Sequence, residues 1–338
     1  MLRPAPRPIV ELHSHLEGTI GAPTLVELAK DGRDHLLPTT DPARLASALA
    51  MPGYEGFRNY FHITRPFRFR LDDVRRITEA ELARAHALGV VYAEYRFNPM
   101  GPARRGTDPW RVLSTVTEIM AEAERKTGLE SNLLFGIARD DGLDAIEGYL
   151  DMAAEAWKEG LICGVDLNGN EKDYPTHEFV RLFSRFRRTG CPFVVHAGEW
   201  DGPDSVLSAL ECGASRIGHG TRSIENNGLV DILARDGVAL EICPTSNVYT
   251  GVFDRIGDVP VRRLADRGVA VTVSSDDSAA FSTDIASEYR NVEQIFGFTP
   301  AEMESLVLNA IEGSFLPGEH KRDLVRRVAG PSNQARST

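Results

Sequence analysis

The sequence predicts an α/β barrel of the TIM type, eight strand-and-helix units with extra helices after strand 1 and at the C-terminal end. Two observations lead there. Short β-rich runs alternate along the chain with longer amphipathic stretches, and that alternation builds a parallel sheet. Four short stretches, far apart, each end an apolar run with metal-binding or proton-carrying side chains: His13-Ser14-His15, His196-Ala197-Gly198-Glu199, Gly218-His219-Gly220 and Asp276-Asp277. The ends of buried strands are where such a barrel gathers its chemistry. A doubly wound open sheet would show a Gly-rich phosphate turn after its first strand, and none occurs here.

The β-rich runs place strands at 8–15, 89–97, 131–138, 162–168, 192–197, 215–219, 238–243 and 269–275. Between them the helical patterns cover 71–88, 109–127, 143–157, 176–188 and 229–235, many bounded by Asp, Thr or Gly of the kind that cap helices. Two regions exceed the eight units. Residues 20–70 form an expected helical lid, because long insertions at the site-bearing face of a barrel commonly cover it. Within them Tyr54, Phe57, Tyr60, Phe61 and Phe67 approximate helical spacing, the pattern either of a stripe packed on the core or of an aromatic wall over a ligand. From residue 281 onward, further helical patterns lie near 300–312 and 319–327, and the tail 329–338 has no apolar anchor and is expected to be flexible. The whole of 1–338 reads as one barrel domain.

With 42% hydrophobic and 26% charged residues, the chain can bury a large core. A formal charge of -11 opposes a phosphate backbone, which excludes a nucleic-acid polymer as partner and favours a small neutral or weakly charged ligand. Cys163, Cys191, Cys212 and Cys243 form no Cys-x-x-Cys pair and read as reduced, structural thiols. The first residues lack the apolar core of a signal peptide and no run of about 18 apolar residues appears, so the expectation is a cytoplasmic protein without a membrane partner. Association with copies of itself stays open.

Side chains at i and i+2 of a strand point the same way, so His13 and His15 both face the barrel interior and two imidazoles can share one ion. Alone, His-x-His is weak evidence. His196 and Asp276, each following an apolar run, would add a third imidazole and a carboxylate. Three nitrogens and one oxygen suit Zn²⁺ with one position left for water. His35, His62, His86, His177 and His320 have no such company and read as surface residues. Glu199, three residues past His196 on a Gly-containing turn, stands where a general acid belongs. His219, between two glycines, could orient the attacking water, and Asp276 could accept its proton. Asp277, turned to the other side of the backbone, is left to grip substrate.

These residues resemble the adenosine deaminase family of the amidohydrolases, nearly end to end. The resemblance is carried by Glu11-Leu12-His13-Ser14-His15-Leu16-Glu17-Gly18, Ala93-Glu94-Tyr95-Arg96-Phe97, Val165-Asp166-Leu167-Asn168-Gly169, Val195-His196-Ala197-Gly198-Glu199, Arg216-Ile217-Gly218-His219-Gly220, Cys243-Pro244-Thr245-Ser246-Asn247 and Ser275-Asp276-Asp277. It implies a zinc barrel that hydrolyses the exocyclic amine of a 6-aminopurine. His13, His15, His196 and Asp276 would hold the metal, Glu199 would protonate ring nitrogen N1 and His219 would serve the attacking water. The resemblance also puts His15 and Glu17 beside the substrate, the Gly169 backbone at N3 and Asp277 at N7. Glu94 and Arg96, two apart on one strand, are expected to form a buried structural pair. Two-metal relatives carry a bridging lysine at the end of strand four, where this chain has Asp166, Asn168 and Gly169, so one zinc per chain is expected.

The chain departs from the adenosine-specific pattern at Glu17, where that pattern has the Asp that meets the ribose, at Ser278 in place of Pro, and at Asn168 and Asn170 in place of Ala and Asp. The leading reading is deamination of adenosine, deoxyadenosine or a modified adenosine. The alternative is a deaminase of free adenine or of aminodeoxyfutalosine. Two other classes stand behind these: an amide- or ester-cleaving metal hydrolase on the same barrel, and a binding protein that has lost turnover. The His-x-Glu and Pro-Cys-x-x-Cys elements of polynucleotide deaminases are absent.

Overall fold

The computed structural model describes residues 8–328. Eight strands, β1 Ile9–His15, β2 Val90–Phe97, β3 Glu130–Ala138, β4 Gly164–Asn168, β5 Phe193–Ala197, β6 Arg216–His219, β7 Ala239–Ile242 and β8 Val271–Val273, lie side by side in chain order. Each pairs in parallel with the next. The ring is completed between β1 and the end of β8 by a single bridge, Ser14 to Asp276, in which His15 N–H donates to the Asp276 carbonyl at 3.2 Å and Asp276 N–H to the His13 carbonyl at 2.9 Å. This is the TIM-type barrel that the alternation of strands and helices predicts, with its eight strands at the expected positions to within a few residues. β8 is shorter than 269–275, and beyond it Ser275 N–H donates to the Glu11 side chain at 2.9 Å instead of to the backbone of a neighbouring strand.

Helices close the outside of the ring. Leu71–Ala87, Pro109–Thr127, Leu143–Lys158, Pro203–Cys212 and Asn227–Asp236 alternate with the strands. Their ends follow local chemistry: the Asp108 side chain accepts from Trp110 N–H to start one and left-handed Gly128 stops it, while Asn226 and Gly237 do the same for another. Only Val180–Phe186 of the expected 176–188 helix is α-helical, with 3-10 turns on both sides. After β8, Ile285–Ile295, Pro300–Gly313 and Gly318–Val328 complete the chain, the second of them opened by a Thr299–Glu302 capping box. The tail 329–338 lies outside the described residues.

The excess between β1 and β2 is helical, as expected: α1 Ala22–Ala29, α2 Pro42–Leu49 and α3 Gly53–Thr64. Its aromatic residues divide between two tasks. Tyr60 and Phe67 are fully buried in the core, and Tyr54, Phe57 and Phe61 line the cavity above the strand ends. The Tyr60 hydroxyl accepts from Ile20 N–H at 2.9 Å and donates to the Glu17 carbonyl at 3.2 Å, which pins α3 to the segment that leaves β1.

Inside the barrel the core is charged. Glu94 pairs with Arg216, Arg216 with Glu241 (2.6 Å), Glu241 with Arg96, and Arg96 with Asp166 (3.2 Å), all at most 1% exposed. The expected Glu94–Arg96 pair does not form. Both side chains point inward, but residues two apart on a strand sit roughly 6.8 Å apart along it, so each finds its partner across the lumen. Glu94 is also held from below, accepting from Phe315 N–H at 2.6 Å and the Tyr92 hydroxyl at 2.8 Å. Buried charges persist only when paired and hydrogen-bonded in this way.

Candidate active site

The C-terminal ends of β1, β5, β6 and β8 bring the expected side chains together. His15 Nε2 lies 3.3 Å from His196 Nε2 and 3.4 Å from Asp276 Oδ1, and His13 Nε2 lies 3.5 Å from the same oxygen. Ligand atoms about 2.0–2.1 Å from one ion in a tetrahedral array stand roughly 3.3–3.4 Å apart. Three imidazoles and a carboxylate at these separations therefore fit a divalent metal. The buried His13 Nε2 points the same way, having no hydrogen-bond partner among the described residues. Burial holds the His15 imidazole down to about 3, against the pull of Asp276, so it is neutral and its lone pair is available.

Two of the imidazoles are braced from behind. His13 Nδ1 meets Glu241 at 2.9 Å and His196 Nδ1 meets Asp166 at 3.0 Å, the carboxylate-behind-histidine arrangement that orients metal ligands. Both carboxylates lean on the single guanidinium of Arg96. Burial alone would raise Glu241, but Arg96, Arg216 and His13 hold it down to about 2. Gly218 makes room for this packing, since a Cβ there would come 3.1 Å from His196 Nδ1 and 3.2 Å from His13 Cε1.

Glu199 sits beside this cluster, 7% exposed, with Oε2 3.5 Å from His219 Nε2. Burial raises its carboxyl well above the usual range, and the charges of Asp276 and Glu171 raise it further. His219 is held neutral by burial, with Nδ1 3.3 Å from Asn247 Nδ2 and Nε2 3.9 Å from Asp276 Oδ2. His219 and Asp276 both have left-handed backbones (φ 60° and 61°), a strain of about 1–3 kcal/mol each for non-glycine residues that clusters at functional sites. The Ser246 hydroxyl donates to Asp276 Oδ2 at 2.6 Å.

Asp276 and Asp277 are driven in opposite directions. Burial pushes both up, but the surrounding imidazoles, His13 foremost, bring Asp276 well below its usual range, while the charges of Asp276 and Glu17 push Asp277 further up. Asp277 Oδ1 is buried without a partner among the described residues. It lies where Gly18 passes, and a Cβ at Gly18 would come 1.8 Å from it. Glu17 accepts from Asn98 N–H at 2.9 Å, and burial raises its carboxyl. Gly169 lies on the cavity rim with φ 97°.

These residues border a cavity of about 820 Å³, floored by His15, His196, Glu199, His219, Asp276 and Asp277 and roofed by Tyr54, Phe57, Phe61 and Phe281. The expected metal, acid, water-orienting and substrate residues thus converge. The departures have local explanations: the Ser278 hydroxyl accepts from Arg84 at 3.0 Å, Asn168 donates to Asp166 at 3.0 Å, and Asn170 Oδ1 accepts from Lys172 and Asp173 N–H at 3.1 Å. His35, His62, His86, His177 and His320 are all exposed, and the four cysteines are free thiols.

Sequence reasoning missed Arg68, Glu171 and Glu241. Arg68 lines the cavity with its guanidinium 5.0 Å from the Phe61 ring centre and a buried Nε that has no partner among the described residues. Glu241 was legible only as a charge inside the apolar run Ala239–Ile242, a position that demands a buried partner.

A family model described as adenosine deaminase matches residues 8–331, and the chain belongs to that family of hydrolases acting on the C–N bond of cyclic amidines. It is 34% identical over 321 residues to an adenine deaminase of Rhizobium leguminosarum bv. trifolii, spanning 94% of this chain and 98% of that one. Among solved structures it is similar to the adenine deaminase of Arthrobacter aurescens, with a TM-score of 0.86, 28% identity, and 96% and 98% of the two chains covered. It is also similar to an amidohydrolase of Burkholderia ambifaria solved with bound Zn, at TM-score 0.84 and 26% identity over 96% and 90%. Among the described residues no helix is long and apolar enough to cross a membrane.

Proposed function

We propose that this protein is a zinc-dependent deaminase that removes the 6-amine of a purine as ammonia, with one zinc per chain and free adenine as its substrate. The observation that carries the chemistry is the placement of a buried Glu199, its carboxyl pushed well up by burial, against His219 and the cluster of three imidazoles and Asp276. His13, His15, His196 and Asp276 would hold the ion. When bound, it lowers the pKa of a water from about 15.7 toward about 7.

The chain's own groups then divide the proton work. His219 and Asp276, 3.9 Å apart, flank the attacking water, and Asp276 accepts its proton while Ser246 restrains that carboxylate. Glu199 gives its proton to N1 as the oxygen attacks C6, which lets the ring take up the electron pair; the amine leaves with the proton that Asp276 returns, and the C6 hydroxyl gives its proton back to Glu199 as the 6-oxo group forms. Asp277, its carboxyl pushed well above the usual range, donates to N7, and the Gly169 backbone serves N3. His15 and Glu17 flank the base. The helices of residues 20–70 act as a lid through Tyr54, Phe57 and Phe61.

The preference for free adenine is supported by Glu17. Its carboxylate is committed to Asn98 N–H at the place where adenosine-specific relatives carry a shorter Asp toward the ribose. The names of the relatives at 30–35% identity agree with it. The breadth of the cavity favours a second reading, a purine with a substituent at N9 such as adenosine or aminodeoxyfutalosine. A panel of adenine, adenosine, deoxyadenosine, AMP and aminodeoxyfutalosine, followed by ultraviolet absorbance and ammonia release on the zinc-loaded protein, separates the two. The expected result is the highest kcat/KM for adenine. A nucleoside turned over tenfold better would overturn the free-base reading, and no turnover of any purine would overturn both.

A further inference from the structure

Glu171 has no part in the chemistry above, yet it is 1% exposed and accepts five hydrogen bonds among the described residues. Oε1 accepts from Gly198 N–H at 2.7 Å and from the Ser205 hydroxyl. Oε2 accepts from Glu199 N–H at 3.1 Å, Trp200 N–H at 2.8 Å and Asp201 N–H at 3.0 Å. Four successive peptide N–H groups converging on one point form a nest, a backbone shape that ordinarily binds an anion. Here the anion is supplied by the chain, from the loop after β4. Ser205 is itself held by Thr176 at 2.6 Å, in the first turn of the helix Pro203–Cys212. Arg139 makes its hydrogen bonds with the His196 and Tyr174 carbonyls and Arg222 donates to the Trp200 carbonyl at 3.1 Å, so both frame the loop and leave the nest to Glu171.

The geometry points to Glu171 as a positioning residue for the proton donor: it clamps the 198–201 loop so that the Glu199 side chain faces His219. The inference rests on Glu199 being the acid. Glu171 is also two residues past Gly169, so one side chain ties the loop that carries the acid to the loop that carries the backbone group expected at N3. N1 and N3 belong to one rigid ring, and the groups that read them must keep a fixed separation. A 1 Å misplacement of such a group costs on the order of 10²-fold in rate. A carboxylate suits the nest because both of its oxygens accept, whereas a glutamine would put an NH₂ where one of the two oxygens now accepts.

The test is a double-variant cycle on the zinc-loaded full chain. Glu171→Gln should lower kcat by about 10²-fold and move KM less than twofold, with zinc content unchanged. In a Glu199→Gln background the same change should have no further effect on kcat, because there is no longer an acid to aim. Additive losses, or a loss confined to KM, would overturn the clamp. Glu199→Gln at wild-type rate would instead remove the acid assignment, and the clamp with it, whereas an impaired Glu199→Gln with an additive Glu171→Gln removes the clamp alone. If Glu171→Gln does not fold, Ser205→Ala takes its place, since it deletes only the hydroxyl on Oε1. It should lower kcat about threefold, an effect absent from the Glu199→Gln background, and an unchanged kcat would overturn the proposal.

Discussion

The floor of the cavity and its roof are held by different forces. On the floor, His13 and His196 each have a carboxylate behind them, and both carboxylates share Arg96, so the positions of the imidazoles are set by directional, fully buried charge pairs. The roof rests on rings: Phe57 stacks on Phe281 with centres 5.5 Å apart, and Tyr54 meets the edge of Trp200 at 6.1 Å. Tyr54 is 49% exposed, while every floor residue but His15 is buried. Ring contacts tolerate displacement and substitution; charge pairs in a dry lumen do not. The difference teaches where a barrel keeps its chemistry and where it can change its substrate.

The comparison breaks first at Glu199. Its carboxyl is raised well above its usual range and yields its proton as the pH rises, so kcat/KM should decline on the alkaline side. Glu199→Gln should lower kcat by about 10²–10⁴ and abolish that limb of the profile, read by steady-state rates across pH. A variant that keeps both would mean the floor does not supply the acid. Arg96→Met comes next. It leaves Asp166 and Glu241 without their shared guanidinium, and zinc affinity, measured by competition with a chelator, should fall about 10–100-fold, with a loss of about 3–5 kcal/mol in stability. Unchanged zinc affinity would show that the bracing is incidental. Phe57→Ala touches the roof alone and should be mildest: KM rises about fivefold, kcat holds and the melting temperature moves little. A collapse of kcat there would erase the distinction between floor and roof.

The floor was legible in the sequence because its signals are local. An apolar strand that ends in His or Asp announces both the element and the side chain's destination, and the i, i+2 rule aimed His13 and His15 correctly. What the sequence hid is what depends on contacts across the lumen. Arg96 meets Glu241 145 residues away and Asp166 on another strand, and no local pattern says that it will desert Glu94, its neighbour two places back. Glu171 was hidden for another reason, since a carboxylate in a polar loop is ordinarily solvated and only the four N–H groups that converge on it reveal its task. The roof fell between these cases. Helical spacing announced a stripe of aromatics, and only the packing of α3 decided that Tyr60 and Phe67 turn inward while Tyr54, Phe57 and Phe61 turn to the cavity.

The bridge between Ser14 and Asp276 joins the first strand to the last, and three of the four candidate ligands lie within two residues of it. A cation gripped there by His13 and His15 from one end of the sequence and Asp276 from the other acts as a clasp on the ring. Loading at a thousand times its dissociation constant would add about 4.1 kcal/mol to folding. Heat resistance is therefore expected to follow metal loading, a shift that melting curves with and without added zinc would read.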